Sequence, residues 1–62
     1  MSSRIFRYGM TYAVVEHAKS LGYVCIDGKE EHIVSAKDCR SVLECKRTLQ
    51  KITGKETWVW VA

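Results

Sequence analysis

The segment from residue 35 to residue 54 constrains the fold most, because it carries the pattern of one amphipathic helix. Its apolar residues recur at spacings of three and four, which places them on one side of a helix. They are Val42, Cys45, Leu49 and Ile52, with Cys39 and Leu43 widening the stripe. Ser35 and Asp38 have the spacing of a capping box, which predicts that the helix begins at Ser35. Gly54 stands where a residue without Cβ readily takes the left-handed conformation that ends a helix.

Strand-like runs lie on both sides of this helix. Residues 56–61 are β-branched or aromatic at nearly every position, which predicts a final strand. Upstream, residues 23–26 and 31–34 flank the pair Asp27-Gly28. Asp-Gly between two such runs is typical of a β-hairpin turn. We therefore expect a hairpin before the helix and a strand after it.

The N-terminal third carries two overlapping patterns, and residues 10–15 fit a strand or a helix. Alternate positions from Phe6 to Val14 form one apolar face, which favours a long strand. A helical stripe that ends at Leu21, with Gly22 as a stop, fits the same segment. Good helix formers are frequent in residues 13–21, so we predict a strand near residues 4–9 and a helix near residues 11–21.

The predicted order, β-α-β-β-α-β, indicates an α+β fold. We expect a small single sheet of about four strands, antiparallel or mixed, with one or two helices packed on one face. At this length residues 1–62 are expected to form one domain. No apolar run is long enough for a membrane helix, and the odd cysteine count argues against a secreted disulfide scaffold. The interpretation is a cytoplasmic protein with reduced thiols.

Residue types that could carry chemistry are scattered along the chain. Structural zinc sites favour closely paired ligands, whereas Cys39 and Cys45 are separated by five residues, and His17, Cys25 and His32 lie elsewhere. A thiol nucleophile at Cys39 would gain from the helix dipole, but no oxyanion-hole motif accompanies it. No glycine-rich phosphate-binding loop is present. We therefore expect no catalytic residues, no metal, no cofactor and no small-molecule substrate.

Two surfaces remain as candidates for binding, and the first is basic. The excess positive charge of the chain lies in residues 32–62. Its bases lie on or just after the predicted helix: Lys37, Arg40, Lys46, Arg47, Lys51 and Lys55. Such a face could meet nucleic-acid phosphates, although Asp38 and Glu44 are interleaved with it.

The second candidate surface is apolar. In the last strand Trp58 and Trp60 point to one side and the two valines between and after them point to the other, so both sides are apolar. Tyr23 belongs to a run with the same property. The helices of so short a chain can cover one side of a sheet, and an apolar patch left open usually marks an interaction surface. Tyr23, Trp58 and Trp60 are thus predicted to bind a protein, unless the two tryptophans fill the core.

In size and general make-up the chain resembles small accessory proteins of phages and other mobile elements, including anti-CRISPR-type inhibitors. That resemblance is one of size and style, and no motif carries it. It implies a non-enzymatic inhibitor that acts by occupying the surface of another protein. From the residues themselves we expect a protein-binding module, with a second copy of the chain as one possible partner. The alternative is a weak nucleic-acid binder that uses the basic face of the C-terminal helix.

Overall fold

The computed structural model describes residues 2–62, which form five strands, a short 3₁₀ helix and one α-helix. The strands are β1 (Ser2–Tyr8), β2 (Thr11–Ala18), β3 (Leu21–Ile26), β4 (Glu30–Ser35) and β5 (Val59–Trp60); the 3₁₀ helix is Ala36–Cys39 and α1 is Val42–Thr53. The strands form one antiparallel sheet in the order β4-β3-β2-β1-β5. The α+β class and the single sheet are confirmed, whereas the predicted number of strands and order of elements fit only roughly.

The prediction of a helix near residues 11–21 is wrong, because this segment forms β2 and the turn into β3. Ala13 and Val15 are fully or almost fully buried while Val14 between them is only half-buried, which is the period of a strand. β2 pairs with β1 on one side and β3 on the other. Hydrogen bonding and packing on both sides outweigh the small helix preferences that favoured the other pattern.

The hairpin predicted at Asp27-Gly28 is confirmed between β3 and β4. Both residues have positive φ, 51° and 70°, which a hairpin turn of this hand requires. The Asp27 carboxylate also accepts a hydrogen bond of 2.9 Å from the backbone N–H of Tyr12. The turn is therefore tied to β2 as well as to its own strands.

The predicted end of the helix is confirmed, but the predicted start is wrong. Gly54 has φ 72° and its N–H donates to the carbonyl of Gln50, as a left-handed cap does. Ser35 makes no side-chain cap and precedes only the 3₁₀ helix. The cap of α1 is Ser41, whose Oγ accepts from the backbone N–H of Glu44 at 3.1 Å and donates to the Glu44 carboxylate. The helix cap thus lies six residues downstream of the predicted one, with Glu44 bound to the Ser41 hydroxyl.

The core lies between one side of the sheet and the layer formed by the 3₁₀ helix and α1. Its buried side chains are Phe6, Ala13, Val15, Val24, Cys39, Cys45, Leu49 and Trp58. The 3₁₀ helix lies against the sheet at Gly22, where a Cβ would lie 2.5 Å from the Sγ of Cys39. Glycine at this position lets the helical layer reach β3, which closes the core on that side.

Candidate protein-binding face

The side of the sheet that faces away from the helices is apolar and is not covered by any part of residues 2–62. Directly paired residues of an antiparallel sheet point to the same side. The registers Ile5↔Val14 and Val14↔Cys25 therefore carry one row of side chains across three strands. We call this side the outer face; its apolar residues are Ile5, Tyr12, Val14, Leu21, Tyr23, Cys25, Ile33, Val59 and Val61.

Exposure of these side chains shows that the outer face is open. Ile33 is 64% exposed, and Tyr12, Val59 and Val61 are each about half exposed. The central positions are shielded by their neighbours in the sheet, and even so Val14 remains partly accessible. Because the exposed residues belong to all five strands, they form one continuous apolar surface instead of isolated side chains.

Charged groups on the outer face are few, and they stand at its opposite ends. Arg7 lies at the end of β1 nearest the first turn, where its guanidinium donates to the carbonyl of Gly9 at 3.2 Å. Glu16 lies toward the other end, where its carboxylate accepts from the hydroxyl of Ser3 at 3.2 Å. Glu31 pairs with Cys25 at the edge of the sheet. Between Arg7 and Glu16 the row of Ile5, Val14 and Cys25 carries no charge.

The three residues predicted to bind a protein do not come together. Tyr23 lies on the outer face and is half-buried. Trp58 is a core residue with 2% exposure; its ring packs against Tyr8 at 5.7 Å between centroids, and its indole nitrogen donates to the hydroxyl of Thr53 at 3.2 Å. Trp58 therefore fills the core, which was the alternative interpretation of the two tryptophans, and its indole is not available to a partner.

Trp60 lies on the helix side of the sheet, because it pairs with the core residue Phe6. It remains 52% exposed since β5 is an edge strand that α1 does not cover. The two tryptophans share one side of the last strand, as the alternation predicts, but that side is the covered one. The valines beside them, Val59 and Val61, belong to the outer face.

The basic residues do not form a patch of one charge. Arg47 and Lys51 line a shallow groove of about 290 Å³ beside α1, and Asp38 and Glu44 line the same groove. Lys55 lies over the ring of Tyr8, with 5.3 Å from its Nζ to the ring centroid. Lys37 and Arg40 are exposed on and just after the 3₁₀ helix. Mixing with carboxylates lowers the positive potential that phosphate binding would need.

The cysteines are all free thiols, and two of them are part of the core. The Sγ of Cys39 donates to the carbonyl of Ala36 at 3.4 Å, and that of Cys45 donates to the carbonyl of Cys39 at 3.2 Å. Burial raises the pKa of both thiols, and nearby carboxylates add to the effect. The helix dipole considered for Cys39 would lower the pKa of its thiol. Because the pKa is raised instead, this thiol is not an activated nucleophile.

Other kinds of site find no support in the part of the chain that the structure describes. No three histidine, cysteine or acidic side chains of residues 2–62 converge to hold a metal ion. No helix in this range is long and apolar enough to cross a membrane. Comparisons with family models, with curated proteins and with solved structures find no match to this chain. The function has to be argued from the outer face itself.

Proposed function

We propose that this chain is a non-enzymatic protein-binding module that acts by occupying the surface of a partner with its outer face. The observation that carries the proposal is the open apolar surface of that face, with the uncharged row of Ile5, Val14 and Cys25 across it, which nothing in residues 2–62 covers. Water contact with exposed apolar surface costs free energy, and a partner that covers the surface recovers it.

The size of the outer face supports this function. The strands β1–β4, about 4.8 Å apart and about 20 Å long, together with the two-residue β5 present roughly 400 Å² of flat surface. The largest apolar patch on a soluble monomer is usually about 300–600 Å² and is often functional. Tyr12 and Tyr23 add two aromatic side chains of the kind that anchor protein interfaces.

Occupation of a surface requires no catalytic group, and it is the way in which a small inhibitor would act. The resemblance to phage accessory proteins implies the same mode of action, although it does not name a target. The alternative, weak nucleic-acid binding by the basic residues of α1, has a different signature. It requires affinity that falls steeply with salt, because bound phosphates release counterions. Association through the outer face depends on apolar contact, so it should change little over the same range of salt.

A pair of matched substitutions tests the proposal. Ile33 and Leu43 are exposed aliphatic residues at 64% and 58%, but Ile33 lies on the outer face and Leu43 on α1. Ile33→Lys places a charge in the apolar surface, whereas Leu43→Lys makes the same kind of change elsewhere. Circular dichroism should show both variants folded.

Binding is measured for wild type and both variants against proteins captured by the wild type in its native cell and then purified. The expected result is that Leu43→Lys binds as wild type does and Ile33→Lys loses at least tenfold in affinity, since burying an unpaired charge costs more than about 1.4 kcal/mol. Equal binding by Ile33→Lys and wild type would contradict the proposal. A wild-type affinity that falls steeply as the salt concentration rises would also contradict it.

A further inference from the structure

We infer that the partner of the outer face is a second copy of this chain, packed sheet against sheet about a twofold axis that runs across the strands. This inference rests on the proposed function, because it names the occupant of the same surface. It follows from the positions of the charges on the outer face, from the charge of the opposite side of the molecule and from the available area.

Arg7 and Glu16 of the outer face are complementary to a reversed copy of themselves. A twofold axis in the plane of the interface and perpendicular to the strands lays each strand over its own copy in the reverse direction. The row of Ile5, Val14, Cys25 and Glu31 then faces itself, so the two Glu31 carboxylates meet as like charges at the exposed β4 edge, where water screens them. Arg7 lies on one side of this row and Glu16 on the other, so the Arg7 end of one copy covers the Glu16 end of its partner.

The same operation joins the aromatic residues. Tyr12 lies on the Arg7 side of the central row and Tyr23 on the Glu16 side, because Tyr12 pairs with Arg7 and Tyr23 pairs with Glu16. Each tyrosine of one copy is therefore brought toward the other tyrosine of the second copy. Two Arg7–Glu16 contacts then flank an apolar centre with aromatic residues on both sides, which is the usual anatomy of a protein interface.

The net charge of +3 does not oppose this association. Bases outnumber acids only in residues 32–62, and most of those bases lie on the helical layer behind the sheet. In the dimer the two sheets pack about 10 Å apart and the two helical layers lie on the outside, with both sheets between them. Their repulsion is screened over a Debye length of about 8 Å. The outer face itself carries one base, Arg7, and two acids, Glu16 and Glu31.

The area predicts a weak, reversible dimer. Two outer faces of roughly 400 Å² each bury about 800 Å² together, which is the size of a weak, transient interface. Association is therefore expected in the micromolar range. A population of monomers and dimers that shifts with concentration follows from this size.

Charge reversal tests the orientation as well as the existence of the dimer. Sedimentation equilibrium is run from about 5 µM to about 1 mM on wild type, Arg7→Glu, Glu16→Arg and the double variant, a range that brackets micromolar association. Each single reversal places two pairs of like charges across the interface and should raise Kd about tenfold. The double variant restores opposite charges and should return Kd to within about threefold of wild type. Arg47→Glu makes the same charge change on α1 and should leave Kd unchanged.

Cys25 provides a second measurement that does not depend on charge. It lies in the row that faces itself, and it is the cysteine that is not buried in the monomer. Its rate of reaction with a thiol reagent should fall as the protein concentration rises through the range in which the dimer forms. A rate independent of concentration would overturn the face-to-face arrangement.

The outcomes separate this inference from the proposed function. If sedimentation shows a monomer at every concentration, the inference of a second copy as partner is overturned. The proposed function is then tested separately by comparing partner binding of Ile33→Lys and Leu43→Lys. A dimer that neither Arg7→Glu nor Ile33→Lys weakens overturns the inference and the outer-face proposal together. Single reversals that weaken the dimer without rescue in the double variant overturn the reversed-strand orientation.

Discussion

Substitution of Gly22 by alanine tests how closely the 3₁₀ helix is packed on the sheet. A Cβ at this buried position would lie 2.5 Å from Cys39 Sγ and 2.9 Å from Val34 Cγ2, both shorter than any normal contact. Cys39 has no exposed surface into which it could move. Overpacking of this kind costs about 1–3 kcal/mol, and the lower entropy of the unfolded alanine chain offsets about 0.4–1 kcal/mol. We expect a net loss of about 1–2 kcal/mol, a large part of the stability of so small a domain.

The assay is urea unfolding of Gly22→Ala, Cys39→Ala and the double variant. Cys39→Ala alone should cost about 1 kcal/mol through the void it leaves. In the double variant the new methyl group occupies the space that Sγ has left, so the loss should be at least about 0.5 kcal/mol smaller than the sum of the two single losses. Gly9→Ala is the control: it has a positive φ of 59° but no atom within 4 Å of its Cβ, so its cost should add independently to that of Cys39→Ala. Wild-type stability in Gly22→Ala, or strict additivity with Cys39→Ala, would refute the packing argument.

Three further outcomes follow from the structure. Ser41→Ala should destabilise the protein by about 1 kcal/mol in urea unfolding, because it removes the cap of α1. Ser35→Ala should have little effect, because Ser35 makes no side-chain cap. A larger loss for Ser35→Ala than for Ser41→Ala would place the helix start at residue 35. Trp58→Ala should cost about 3–5 kcal/mol and Trp60→Ala less than about 1 kcal/mol by the same measurement, and similar losses would contradict their separation into core and edge. In the folded monomer a thiol reagent should modify Cys25 quickly, and Cys39 and Cys45 only on unfolding. Burial raises the pKa of Cys39 and Cys45, so these thiols keep their protons to higher pH in the folded state than in the unfolded chain. The free energy of unfolding should therefore fall as the pH rises through the range in which the two thiols titrate.

The turn and the helix end could be predicted from the sequence, because each depends on residues that are adjacent in the chain. The turn at Asp27-Gly28 and the end of α1 at Gly54 require particular backbone conformations, and the residues that favour them are visible in the sequence. The start of α1 was predicted at Ser35, although Ser41 is also followed three residues later by an acid. Burial of Ala36 and Cys39 against the sheet holds the first segment in a 3₁₀ helix, and this tertiary contact could not be found from spacing.

The side on which the core forms could not be predicted for a related reason. Alternation in the last strand correctly places Trp58 and Trp60 on one side, but it does not say which side α1 covers when both are apolar. β2 poses the same problem, since Val14 and Val15 are similar residues on opposite sides. The helical layer that decides between them comes later in the chain and touches β2 only in the folded state.

The fold separates charge from apolar surface in a way that favours a protein over a nucleic acid as partner. A helix of 12 residues is about 18 Å long and about 10 Å wide, so α1 needs the 3₁₀ helix beside it to close one side of a sheet about 24 Å across. All of the helical chain in residues 2–62 is used on that side. Most of the bases in residues 32–62 are carried by this layer, where Asp38 and Glu44 are mixed among them, while the open side keeps an uncharged apolar row of Ile5, Val14 and Cys25. Phosphate would meet a basic surface weakened by carboxylates, whereas a protein would meet an apolar one. Because the second contact releases more water from apolar groups, we propose a protein as the partner.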